Sequence, residues 1–214
     1  MISRRLKSIA GLVCSEDKII DVGCDHALLD IYLIKQKIVD TIIVSDSNKN
    51  ALNNGIKNIS KHKLTKKIDA RLGYGIEVAD ESLDTVIISG MGTGTIIKIL
   101  SHPNLKYFKK LIIQANNEHY LLRRFVTLKG YYIAHESVVY DKGRYYINIV
   151  FNKGQKKYSN KELFYGPILM YANKDYYEYL LKKQLAILNN VPWYRIITKL
   201  KHGKEAIYLK RLSK

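Results

Sequence analysis

The chain has 214 residues, 36 of them Lys or Arg against 19 Asp or Glu, for a net charge of +17, and 47% are hydrophobic. No apolar run reaches 18 residues, and the basic start Met1-Ile2-Ser3-Arg4-Arg5-Leu6-Lys7 lacks the apolar core of a secretion signal, so neither a membrane span nor export is expected and the cytoplasm is the expected compartment. Cys14 and Cys24 form no CxxC pair and stand in no His/Cys cluster, which argues against a disulfide scaffold and a bound metal.

The charge is unevenly spread. Residues 151–214 hold 14 basic and 4 acidic side chains, whereas residues 1–150 hold 22 and 15. A Lys-rich codon bias would raise Lys everywhere alike, so the concentration near the C-terminus favours a polyanionic partner, a nucleic acid.

In chain order, Ile2, Leu6, Ile9, Ala10 and Val13 recur at helical spacing and predict a helix over 2–13. Residues 18–22 read as a buried strand that Gly23 breaks, and a helix is expected over 27–36. A β-branched run over 41–45 predicts a second strand ending at Asp46, with Ser47 placed to cap a helix over 48–60. A weaker strand, 67–71, runs into Gly73-Tyr74-Gly75. The strongest strand, 84–89, is closed by Gly90-Met91-Gly92-Thr93-Gly94 and followed by a helix over 95–100. A strand over 110–114, a helix over 119–129 and two strands, 131–140 and 144–151, complete the series, the last two joined by the turn-forming Asp141-Lys142-Gly143.

Five strand–helix alternations predict an α/β fold: a parallel, doubly wound, Rossmann-like sheet with the final hairpin as an antiparallel edge. Right-handed crossovers bring every strand-to-helix loop to one edge of that sheet, where the ligand belongs. Residues 1–157 are assigned to this domain. Beyond the polar segment 154–160, helical patterns over 163–171, 176–188, 193–200 and 204–212, with Pro167 and Pro192 as helix starts, assign 158–214 to a small helical domain built on an antiparallel hairpin.

The loops narrow the ligand. Asp21-Val22-Gly23-Cys24-Asp25-His26-Ala27 has the strand–Gly–helix order of a cofactor turn but not the three glycines that a dinucleotide pyrophosphate needs, and Gly90-Met91-Gly92-Thr93-Gly94 lacks the Gly-Lys-Ser/Thr ending of a phosphate loop. A phosphate-free cofactor, S-adenosylmethionine, fits better. Asp46, 25 residues after Asp21, can accept both ribose hydroxyls, Tyr74 can stack on an adenine, and Gln114 and Asn116 offer amides at the end of the fifth strand. Each of these segments also reads as an ordinary turn when taken alone.

Taken together, Asp21-x-Gly23-x-Asp25-His26-Ala27, the acid Asp46, the Gly90-Met91-Gly92 turn, Gln114-x-Asn116 and Gly143-Arg144-Tyr145-Tyr146 resemble the TrmK family, as do Arg4-Arg5-Leu6 and Tyr165-Gly166-Pro167. Two positions depart from the family pattern: Tyr74 stands where Asp is usual, and Ala115 where Pro is usual. The resemblance implies a class I S-adenosylmethionine-dependent methyltransferase with a helical C-terminal domain, acting on N1 of adenine 22 in tRNA. It implies a cofactor set of Arg5, Asp21, Gly23, Asp25, His26, Asp46, Ser47, Gly73, Tyr74, Gly75, Gly90, Met91 and Gly92. Adenine N1 lies on the pairing edge, so the base must be unpaired or turned out to react; Asn116 and His26 are the candidates for contacting it. Arg4 and, in the basic C-terminal segment, Lys182, Lys183, Lys199, Lys201, Lys204, Lys210 and Arg211 are the candidates for binding tRNA. A metal-free monomer is expected. The competing readings are an RNA-binding module that keeps a degenerate methyltransferase fold, a methyltransferase for another RNA base, a small-molecule methyltransferase and an NAD-dependent oxidoreductase; the basic C-terminus disfavours the third and the missing glycines the fourth.

Overall fold

The computed structural model describes residues 2–214, which divide into two compact units, one ending at Ser159 and the other spanning Asn160–Lys214. No described helix is long and apolar enough to cross a membrane.

The first unit opens with α1 (Arg4–Ala10), shorter than its apolar periodicity suggests because the Ser3 side chain caps its start and Gly11 closes it. The strands are β1 (Ile19–Val22), β2 (Ile42–Asp46), β3 (Ile68–Leu72), β4 (Thr85–Met91), β5 (Lys110–Ala115), β6 (Tyr131–Asp141) and β7 (Arg144–Lys153). Between them lie α2 (Leu28–Lys35), α3 (Lys49–Lys61), α4 (Thr93–Leu100) and α5 (His119–Leu128). The strands form one sheet in the order β3-β2-β1-β4-β5-β7-β6, parallel through β5 and antiparallel across β7 and β6. Strand order reverses at β1, the topological switch point at which open α/β sheets bind ligands beyond the C-terminal strand ends.

Sequence and burial agree where the runs are most apolar. All four residues of β1 are buried, as are Val86, Ile87 and Ile88 of β4 and Leu111, Ile112 and Ile113 of β5, the pattern of a sheet covered on both faces. Leu33, Leu52, Ile59, Ile96, Leu122 and Val126 bring the helices onto it. A charged pair joins α5 to β6: Arg123 Nε donates to Glu136 Oε1 at 2.7 Å with both side chains essentially inaccessible.

Four local expectations need correction. Ser47 does not cap α3; Asn48 does, its Oδ1 accepting from the Asn50 and Ala51 amides. β4 does not stop at Ser89 but continues across a register shift to Met91, and α4 starts at Thr93 rather than Thr95. A short 3₁₀ helix, Pro103–Tyr107, precedes β5. Pro192 starts no helix.

The second unit contains α6 (Asn160–Tyr165), a 3₁₀ turn at Leu169–Tyr171, and two 17-residue helices, α7 (Lys174–Asn190) and α8 (Ile196–Leu212). The Arg195 amide donates to the Pro192 carbonyl at 3.0 Å, so a turn precedes α8, and Gly203 lies within the helix instead of splitting it. Gln184 of α7 is buried and its Nε2 lies 2.7 Å from His202 Nδ1 and 3.0 Å from Glu205 Oε2, tying the two helices by polar contacts.

Candidate active site

A cavity of about 410 Å³ opens at the C-terminal ends of β1, β2 and β4. Its walls include Arg5, Asp21, Gly23, Asp25, His26, Asp46, Ser47, Tyr74, Gly75, Gly90 and Met91, which the structure therefore brings together from five separate segments. A second cleft, about 830 Å³, is larger but lies at the opposite edge, among Ile19, Thr41, Ile42 and Ile68 at the strand starts. Crossover geometry collects no loops of variable chemistry there, so the smaller cavity is the candidate.

Glycine makes the cavity. Gly23 adopts φ +78°, and a Cβ there would stand 2.2 Å from Met91 Cε. Its amide donates to the Ser45 carbonyl at 2.7 Å, fixing the turn to β2. Gly75 adopts φ +63° and backs directly onto Ile99 of α4, where a Cβ would stand 2.8 Å from that side chain. These two backbone positions exclude side chains and keep the floor open.

Asp46 projects into the cavity from the end of β2, with Oδ1 held at 2.8 Å by the Asn48 amide. Arg5 reaches across from α1, donating through Nη1 to Gln114 Oε1 at 2.6 Å, with its guanidinium 5.5 Å from the Tyr146 ring centre. Asp25 and His26 stand on the rim, 3.6 Å apart and each more than half exposed. Tyr74 is also a rim residue, 44% exposed, its amide donating to the Glu77 carboxylate.

Three expected residues do not line the cavity. Gly73 faces Val78 and Glu77 instead. Gly92 is the N-cap position of α4, and a Cβ there would meet nothing closer than Asn117 Oδ1 at 3.6 Å. Asn116 is committed to bracing the turn: its Nδ2 donates to the Gly90 carbonyl at 2.7 Å and its Oδ1 accepts from Gln114 Nε2 at 3.3 Å. Arg4 is exposed on α1. The seven basic C-terminal candidates are exposed on α7 and α8; Lys182 is paired with Glu178 at 3.0 Å, and Lys183 lies 4.7 Å from the Tyr179 ring centre.

The floor of the cavity is acidic. Burial pushes the Asp21 carboxyl up to about 7, an effect that Asp46 reinforces while a hydrogen bond with Asp30 and the charge of Arg5 oppose it. Asp30, in the first turn of α2 and inaccessible to solvent, is likewise raised, by burial and then by the charge of Asp21. Burial, and then the charges of Asp21, Asp30 and Asp46, raise Cys24 as well, so it is a protonated thiol and no nucleophile. Asp30 was not among the expected site residues. Its signal in the sequence is an acid in the otherwise apolar Leu28-Leu29-Asp30-Ile31. Among the described residues, no group of three or more His, Cys, Asp or Glu is arranged to hold a metal.

The model of the methyltransferase domain matches residues 2–149. The chain belongs to the methyltransferase-domain family. A candidate tRNA methyltransferase of Mycoplasma genitalium is 33% identical over 174 residues, 78% of each chain. The tRNA (adenine(22)-N(1))-methyltransferase of Bacillus subtilis is 25% identical over 158 residues, 72% of this chain and 66% of that one. Among solved structures, M. capricolum TrmK in complex with S-adenosyl-homocysteine superposes with a TM-score of 0.84 at 29% identity, over 99% of this chain and 97% of that one. These relatives place the chain in the TrmK family, as its loop motifs suggest.

Proposed function

We propose that this methyltransferase transfers the methyl group of S-adenosylmethionine to N1 of adenine 22 in tRNA, in the cytoplasm. The observation that carries the cofactor reading is the make-up of the cavity: glycines from three separate loops instead of a phosphate-binding glycine series in one, with three carboxylates and one guanidinium in the wall. Those groups fit a ligand that has a ribose, an amino-acid end and a cationic sulfur but no phosphate. The target reading rests on the relatives named above and on the basic second unit.

Asp46 is placed for the ribose hydroxyls, and Arg5, held by Gln114, for a carboxylate. When bound, the cofactor supplies a methyl group already activated by its sulfonium. Adenine N1 carries a free lone pair and needs no base, so the chain's contribution is positioning and the exclusion of water. Asn116 enters as a positioning residue, since its Nδ2 holds the Gly90 turn that borders the cavity and its Oδ1 accepts from Gln114, the residue that holds Arg5. His26, on the rim, is positioned to meet an incoming base.

The test is incubation with radiolabelled S-adenosylmethionine and unmodified tRNA, with the product base mapped by primer extension. A stop at position 22 supports the reading. Label incorporated at another base retains a tRNA methyltransferase but removes the proposed target, and cofactor binding with no incorporation favours a degenerate, RNA-binding relative.

A further inference from the structure

Asp30 does not line the cavity, yet its placement is unusual. It is wholly buried, and neither carboxylate oxygen receives a well-formed hydrogen bond from an N–H or hydroxyl group, although its own backbone amide lies near enough to favour the ionised form. What faces it is another carboxyl, that of Asp21, with which it hydrogen-bonds. Two carboxylates cannot share a dry site while both are ionised, so the hydrogen bond requires a proton between them. The other charged or titratable groups around the pair are Arg5 from α1, Asp46 from β2 and the Cys24 thiol from the β1–α2 turn. The amides of the first turn of α2 add a partial positive charge beside Asp30.

Asp21 belongs to the cavity wall and Asp30 does not. We propose that Asp30 is a positioning residue that acts through Asp21: by sharing one proton with it, Asp30 sets the charge that the cavity floor presents to the cofactor and so favours the cationic sulfonium substrate over the neutral thioether product. This rests on the cofactor reading of the cavity. With one proton on the pair, the floor carries a single negative charge; with two it is neutral. A floor of charge −1 attracts a sulfonium and is close to indifferent to a thioether, so ionisation of the pair should separate the two ligands.

The measurement is calorimetric affinity for S-adenosylmethionine and for S-adenosylhomocysteine between pH 6 and 8, in the full chain and in Asp30→Asn and Asp30→Ala. With Asp21 near 7, the ionised fraction of the pair rises about tenfold across this window, so S-adenosylmethionine binding should tighten by up to about tenfold while S-adenosylhomocysteine binding changes by less than about twofold. Asn at position 30 donates permanently, lowers the Asp21 pKa and should hold binding tight and flat across the window. Ala leaves Asp21 buried without a donor and should push the rise to higher pH. A residue that merely fills space would not shift the profile in opposite directions.

The protein without cofactor gives a second readout. A carboxyl raised in the folded state adds stability at low pH that is lost as pH rises from about 4 through about 7, and Asp30→Asn should flatten that loss in thermal unfolding relative to the unsubstituted chain. Unchanged pH profiles in Asp30→Asn, or parallel changes for the two ligands, overturn the proposal while leaving the cofactor reading intact. Failure of both ligands to bind at any pH overturns both.

Discussion

The end of the sheet and the α7–α8 hairpin are built from opposite materials. The cavity is concave, bordered by acids and built from backbone positions that admit no side chain. The hairpin is basic and carries long exposed side chains, with Trp193, Ile197 and Leu200 at least 60% exposed beside Lys199, Lys201 and Lys204. A small cation with many hydrogen-bonding groups calls for the first arrangement, and an extended polyanion for the second. If the division holds, damage to one region should leave the ligand of the other untouched.

The largest effect should come from filling the cavity. Gly23→Val forces a branched side chain into φ +78° and against Met91, and should reduce S-adenosylmethionine affinity by more than about 100-fold in calorimetry. Binding of tRNA, followed by filter retention, should be retained if circular dichroism shows the chain folded. Next in size, Asp46→Ala should weaken cofactor binding by about 2–3 kcal/mol, the scale of a lost charge-assisted pair of hydrogen bonds. Affinity unchanged in that variant removes Asp46 from the site.

These two residues show what was legible in the sequence. A strand that ends in Gly or Asp is visible because the β-branched run before it fixes where the turn falls, and the switch point then fixes which turns converge. The helical unit was less legible. Pro192 has the chemistry of a helix start, but the turn it opens runs on through Trp193 and Tyr194 before α8 begins at Ile196. Gly203 looks like a break but sits in open space, so the cost of about 1 kcal/mol relative to Ala is absorbed by the rest of a 17-residue helix. Asp30 was ambiguous for another reason: its sequence signal, an acid in an apolar helix, fits a side chain facing water or the core, and only the packing of α2 on β1 decides which.

The hairpin should respond more gently and in a salt-dependent way. Lys199→Gln with Lys204→Gln should weaken tRNA binding by up to about tenfold at low salt and flatten the dependence of log affinity on log salt by about 1–2, as expected if each lysine neutralises one phosphate. Affinity for S-adenosylmethionine should not change. A salt slope equal to that of the unsubstituted chain would move tRNA recognition elsewhere, with Arg4 on α1 as the next surface to test.

The smallest effect is the sharpest check on where the cavity ends. Gly92 belongs to the same glycine-rich turn as Gly90, and from sequence the two look equivalent. In the structure they differ. Gly90 lies at φ +79°, in the cavity wall, where a Cβ would stand 3.1 Å from Arg5 Nη1. Gly92 lies at φ −73° and ψ 149°, ordinary extended backbone at the N-cap of α4, where Asn117 Oδ1 already accepts from the Thr93 amide at 2.9 Å. A methyl group at position 92 therefore meets no strain and stands outside the cavity wall, and the helix loses at most about 1 kcal/mol of capping. Gly92→Ala should leave cofactor affinity within about twofold, whereas Gly90→Ala, which needs a left-handed backbone and displaces the Arg5 guanidinium, should weaken it severalfold. Equal losses in the two variants would mean that the ligand reaches past Met91 to the start of α4, so that the cofactor site extends beyond the acidic cavity.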